Sequence, residues 1–174
     1  AYIRALDCAP LSVVLAKATP ISAIYGYRRT ESQRREYHQL KRMPKGFAVT
    51  GDAVCAFNPV YGQGMTMSAI AAQILDWTLR EGWDELTFQR RLAGANAPAW
   101  LMGMMEDMRY DTTEGGKFRW LYRLLNRYND WMFAGFMRSP KLTTAYLRVM
   151  HMLDKPTDVM RPKMILERIK AALR

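Results

Sequence analysis

The sequence predicts a mainly α fold with a short β portion. Three observations point there. Between residues 64 and 172, apolar side chains recur at helical spacing in one segment after another, with cap residues between them. Strand-like patterning is confined to short stretches before residue 51. Hydrophobic residues make up 49% and charged residues 24% of the 174-residue chain, which is ordinary usage for a chain that buries a core.

The elements follow in order. Residues 1–18 read as one or two short helices broken at Pro10 and stopped by Pro20. Ile21, Ala23, Tyr25 and Tyr27 alternate with Ser22, Ile24 and Gly26, a weak strand signal. Arg28–Arg42 is basic and reads as an exposed turn or hairpin; Arg34, Arg35, His38, Lys41 and Arg42 fit a solvated face better than a phosphate grip. Residues 46–50, with Phe47, Ala48 and Val49, are the next strand candidate. A long helix opens at Gly64 and buries Met67, Ile70, Ala71, Ile74, Leu75 and Thr78. Gly82 ends it and Asp84 caps the next helix, which Pro98 is expected to interrupt.

After the loop at residues 112–116, Phe118, Leu121, Tyr122, Leu125, Asn129, Met132, Phe133 and Phe136 mark one helical face, with Arg119, Arg123 and Arg127 opposite. Ser139-Pro140 reads as a cap and first helical residue, opening a helix with Leu142, Tyr146, Val149 and Leu153. Pro156 and Pro162 bracket a connection, and Ile165, Leu166, Ile169 and Leu173 form a last apolar stripe.

Residues 51–68, GDAVCAFNPVYGQGMTMS, hold the chemistry. A Gly-Asp pair follows a strand candidate, Pro59 stiffens a loop, and Gly62-Gln63-Gly64 opens a helix. Glycines at the loop let a flat ligand approach the backbone, and the free N–H groups of a helix start favour negative charge. A nicotinamide-binding fingerprint fails, because its third glycine would fall on Met67. A P-loop fails because no Gly-Lys-Ser/Thr follows. The competing interpretation is a structural turn whose glycines only allow close packing.

This motif resembles the second FAD motif of the flavin monooxygenases related to para-hydroxybenzoate hydroxylase and squalene epoxidase. Gly51, Asp52, Pro59, Gly62, Gln63 and Gly64 match in order. The resemblance implies that Asp52 accepts hydrogen bonds from the ribityl chain of FAD. It implies that backbone N–H groups around Gly62–Thr66, including Met65 and Thr66, face the pyrimidine end of the flavin, and that Pro59 lines the face where oxygen reacts. The chain departs from the aromatic hydroxylases at Cys55, where many have His, and at Met65-Thr66, where Leu-Asn is usual. The variant is most similar to the bacterial epoxidase-like branch. A looser similarity continues through Trp100, Glu106-Asp107, Arg109-Tyr110 and residues 124–128, whose helices would roof the flavin and substrate cavity.

On this resemblance the chain is expected to be the C-terminal part of an α/β FAD-binding monooxygenase fold. Residues 1–82 would end the FAD-binding domain and residues 83–174 would form a helical C-terminal region. No GxGxxG occurs in the chain, so the pyrophosphate site is expected in a missing N-terminal FAD-binding region. The implied activity inserts one oxygen atom from molecular oxygen into an apolar organic substrate, by epoxidation or hydroxylation, through a flavin hydroperoxide. NADPH or NADH would reduce FAD. Alternatives are a FAD-dependent reductase of isoprenoid double bonds and a non-catalytic basic helical binding module.

Other classes are weaker. Two histidines, His38 and His151, have no partner at ligand spacing, so no metal site is expected. Cys8 and Cys55 give no sign of an oxidising compartment. No apolar run approaches the roughly 18 residues of a spanning helix. The net charge is +10, but the arginines lie opposite apolar stripes with no aromatics between them, so nucleic acid is not expected. A cytoplasmic protein is expected. Lys163, Arg168, Lys170 and Arg174 beside the last stripe leave contact with an anionic membrane surface open. Met65, Met67, Met102, Met104, Met105 and Met108 are candidates for lining an apolar cavity, or for core filling. Asp107 with Arg109 is a candidate for ordering substrate, or a surface ion pair. No catalytic acid or base is identifiable.

Overall fold

The computed structural model describes residues 8–23, 25–26, 30–115 and 117–173. The fold is mainly α with one small sheet. Helix α1 spans Ala9–Lys17, strands β1 and β2 span Gln33–Arg34 and Cys55–Ala56, and five more helices follow: α2 (Gly64–Glu81), α3 (Glu85–Asp107), α4 (Arg119–Phe133), α5 (Pro140–Met150) and α6 (Pro162–Ala172). The strands pair antiparallel, with Gln33 opposite Ala56 and Arg34 opposite Cys55.

Several sequence expectations change here. Pro10 does not break the first helix; it sits in the opening turn of α1, where its missing N–H costs nothing. Residues 1–7 of that expectation lie outside the described residues, as do Ile24 and Tyr27 of the alternating stretch, whose described part forms no strand. Residues 46–50 are not a strand either. Val49 is buried, but its carbonyl accepts from the Gln89 side chain at 2.8 Å rather than from a neighbouring strand. Strand pairing moves to Cys55–Ala56, beyond the Gly51–Ala53 turn.

Helix α2 starts at Gly64 and ends at Gly82, which takes a positive φ of 106° that glycine adopts without strain. Asp84 caps α3 by accepting from the Thr87 N–H. Pro98 lies inside α3 and does not interrupt it. A proline forfeits the bond to the carbonyl four residues back, here Gly94. Gly94 is exposed, so water can serve that carbonyl. Buried Leu92, Asn96 and Ala99 hold α3 on both sides of the proline.

Two apolar cores result. The first joins Val49, Val54, Cys55, Ala71, Ile74, Phe88 and Leu92, and so spans residue 82. Phe88 is fully buried there, a contribution of roughly 1.5–3 kcal/mol. The second joins Met132, Phe136, Leu142 and Ala171, with Tyr146 packed 4.4 Å from Phe136, centroid to centroid. Ser139 stands at the cap position of α5, yet its hydroxyl donates to Glu167 at 2.8 Å instead of capping.

The two C-terminal apolar faces are the largest departures. On α4, Asn126 and Met132 are buried while Phe118, Trp120, Leu124 and Phe133 are more than half exposed. On α6, Met164, Arg168 and Ala171 face inward, and Leu166, Ile169 and Leu173 face out. The Arg168 stem packs inside, its guanidinium 5.0 Å over the Trp131 ring and its Nε donating to the Trp131 carbonyl. Among the described residues no helix is long and apolar enough to cross a membrane.

Candidate functional site

The site grows from the segment between β2 and α2. Gly51 and Gly62 hold φ values of 60° and 66°, which favour glycine. A turn at Gly51–Ala53 closes with Val54 N–H donating to the Gly51 carbonyl at 2.9 Å. Arg35 steadies it from outside, donating to the Ala53 carbonyl at 3.2 Å. A second turn, Pro59–Tyr61, is capped by Asn58, whose side chain accepts from Val60 N–H at 3.1 Å.

The two turns meet at the start of α2. A Cβ built on Gly64 would lie 4.0 Å from Asp52 Oδ1, and one on Gly51 would lie 3.8 Å from Ser68 Oγ. The Asp52 carboxylate is exposed beside the first turn of the helix. No side chain caps α2. Its first N–H groups, on Gly64, Met65 and Thr66, are thus available to a ligand, and the helix dipole makes that end electropositive. Sequence-expected Gly51, Asp52 and Gly64 therefore come together, with Pro59, Gly62 and Gln63 on the adjoining turn. Met65 and Thr66 are exposed on the first turn. An exposed carboxylate acceptor thus lies beside the free N–H donors of an uncapped helix start, with glycine between them.

Cys55, where the resembled family often has His, is buried, and burial pushes its thiol up to about 11. It stays a neutral thiol at physiological pH. Both cysteines are free. Among the described residues no cluster suits a metal ion.

The segment 60–63 also borders a cavity of about 500 Å³, within the usual range for small-molecule pockets of roughly 300–1,000 Å³. Val60, Tyr61 and Gln63 form one wall. Leu101, Met102, Gly103 and Met105 of α3, Leu125 and Phe133 of α4, and Val149 and Met150 of α5 form the others. Met102 and Met105 line it; Met65 is exposed, and Met67 and Met108 are buried in the protein. Gly103 packs beside the Tyr61 ring, and a Cβ there would sit in ordinary contact with it at 3.6 Å.

Of the polar residues lining the cavity, Glu106, Arg109 and Asp130 are engaged with one another, and Asn129, Tyr146 and Thr157 also reach it. Arg109 bonds Asp130 through both terminal nitrogens, at 2.8 and 3.1 Å, and Glu106 through Nε at 2.8 Å. Asp107 does not pair with Arg109. It accepts from Tyr61 and, at 3.4 Å, from Ser32. Tyr128 donates to the Val159 carbonyl at 3.0 Å. Sequence reasoning missed Tyr61, Gly103 and the Arg109–Asp130 pair. Tyr61 sits within the motif, but only its distance to Asp107 shows its role.

No family model matches the chain. Protein Rv3254 of Mycobacterium tuberculosis is 29% identical to it over 152 residues, covering 84% of this chain and 32% of that protein. The chain thus spans about a third of the length of this curated relative.

Proposed function

We propose that the chain is part of a FAD-dependent monooxygenase that inserts one oxygen atom from molecular oxygen into an apolar organic substrate. One observation carries this reading: the short segment 60–63 both leads into the uncapped helix start and contributes Val60, Tyr61 and Gln63 to the wall of a largely apolar cavity. A cofactor at the helix start and a substrate in the cavity would share that segment.

Asp52 would accept from the ribityl hydroxyls, and the N–H groups of Gly64, Met65 and Thr66 would face the electron-rich end of the flavin. FAD, reduced by NADPH or NADH, would supply the oxygen-activating chemistry. The pyrophosphate would be held by residues outside this chain. The chain's own contribution is placement and exclusion of water. Leu101, Met102, Met105, Leu125 and Val149 dehydrate an apolar substrate, and the two adaptable methionines fit a flexible one. A cytoplasmic location, with α4 or α6 against other surfaces, belongs to the same reading.

The test is oxygen uptake by the full-length protein with FAD and NADPH. Uptake should rise when an apolar alkene such as squalene is added, with label from molecular oxygen appearing in the product. Reduction of the alkene without oxygen consumption would replace this reading with a reductase.

A further inference from the structure

We propose that the outward face of α6 seats the protein on an anionic lipid surface, its lysines meeting the headgroups and its apolar side chains entering the layer just beneath them. The inference goes beyond the flavin chemistry and does not depend on it.

Lys163, Leu166, Lys170 and Leu173 recur at intervals of three and four, which sets them along one side of a helix, with Ile169 beside them. All five are exposed, Leu166 at 58%, Ile169 at 45% and Leu173 at 84%. The other side of the helix packs inward through Met164, Arg168 and Ala171. The stripe is thus shown on a helix that is already folded, so binding carries no cost of ordering it. With 11 residues α6 is too short to cross a bilayer, and a helix of this pattern lies along the surface instead.

The unpaired charge on this side is positive. Glu167 is the single carboxylate of α6, and it is partly buried and accepts from the Ser139 hydroxyl at 2.8 Å. An open groove beside the stripe is lined by Lys141, Thr144 and Arg148 of α5 and by Lys163, Leu166 and Lys170 of α6. Its two aspartates are engaged, Asp154 with Arg148 at 2.8 Å and Asp158 with Arg161 at 2.7 Å. Lys141, Lys163 and Lys170 form no ion pair among the described residues.

A purely polar partner would leave Leu166, Ile169 and Leu173 in water, and a purely apolar one would strip the lysines of theirs. An anionic lipid surface satisfies both, because phosphate headgroups lie over an apolar layer and long lysine stems span the two. Nucleic acid fits less well, since α6 carries no aromatic ring on which a base could stack.

The full-length protein is sedimented with vesicles of phosphatidylglycerol mixed equally with phosphatidylcholine, and with vesicles of phosphatidylcholine alone. It should bind the first about 10-fold or more tightly than the second, and raised salt should release it by screening the headgroups. Lys163→Gln with Lys170→Gln should weaken binding about 25-fold, from about 5-fold for each basic residue at an anionic surface. Leu166→Ser with Leu173→Ser should weaken it about 10-fold or more by removing apolar burial. Trp120→Ala with Leu124→Ala, exposed on α4, should leave it unchanged. Circular dichroism checks that each variant folds. Binding to neither vesicle, equal binding to both, wild-type binding by either α6 variant, or a comparable loss in the α4 variant overturns the proposal. In the first case, light scattering that falls from dimer to monomer in the leucine variant would assign the face to a second copy of the chain.

Discussion

The hydroxyl of Tyr61 donates to Oδ1 of Asp107, tying the turn of the Gly-x-Gly motif to the last residue of α3 across 46 positions of sequence. Asp107 also accepts from Ser32, whose oxygen in turn accepts from the Asn58 N–H at 3.2 Å. Both ends of the motif turn are thus anchored to one carboxylate. Burial, followed by the bond to Asp107, pushes the Tyr61 phenol above its usual range, so it remains a donor at neutral pH.

Tyr61→Phe removes that donor and leaves Asp107 short of a partner. The variant should lose about 1 kcal/mol of stability, seen as a lower urea midpoint at unchanged slope. An unchanged midpoint would mean the bond holds nothing together.

Gly135 and Gly94 should respond to alanine with opposite signs. A Cβ on Gly135 would collide with Arg168 Cδ and lie 3.0 Å from Leu142 Cδ1. Both neighbours are buried, so Gly135→Ala should destabilise by about 1–3 kcal/mol. Gly94 lies within α3, and a Cβ there would meet nothing within 4 Å, so Gly94→Ala should stabilise by about 0.5 kcal/mol. Thermal unfolding of the pair reads both signs, and a Gly135→Ala midpoint at or above that of wild type would contradict the packing at Arg168.

Hydrogen bonds from Arg109 hold the Asp130 carboxyl below the usual carboxylate range. A depressed folded-state pKa contributes stability that is present above the unfolded pKa and lost as pH falls through the folded one. The stability difference between wild type and Asp130→Asn should therefore be present at neutral pH. It should close as pH falls below about 3.9. Denaturation across that range would show a constant gap if Arg109 did not bind the ionised carboxylate.

Much of the helical framework was legible in the chain. Gly82 and Asp84 mark the junction of α2 and α3 because a positive φ and a side-chain acceptor are local demands with few residue solutions. Pro140 opens α5 because its fixed φ and missing N–H suit a first helical turn, and Pro162, read as the end of a connection, opens α6 in the same way. What failed depended on partners distant in sequence. Pro98 looked like a break, but buried residues on either side of it keep α3 whole. Val49 looked like a strand residue, but a side chain from α3 meets its carbonyl. Periodicity revealed apolar faces on α4 and α6 without revealing what covers them, and on α6 Arg168 turned inward in place of Leu166 and Ile169.

The candidate site divides the same way. The glycines and Asp52 were readable because their spacing along the chain is their spacing in the turns. The cavity was not, since its walls come from five separate segments and only Met102 and Met105 among the six methionines considered reach it.

Flavin titration of the full-length protein, followed by quenching of flavin fluorescence, tests the central claim most directly. Wild type should bind FAD at one-to-one stoichiometry. Asp52→Ala should bind it about 10- to 100-fold more weakly, the cost of losing a charged acceptor. Equal affinities in the two proteins, or no binding by either, would contradict the assignment of Gly51–Thr66 as a FAD cradle.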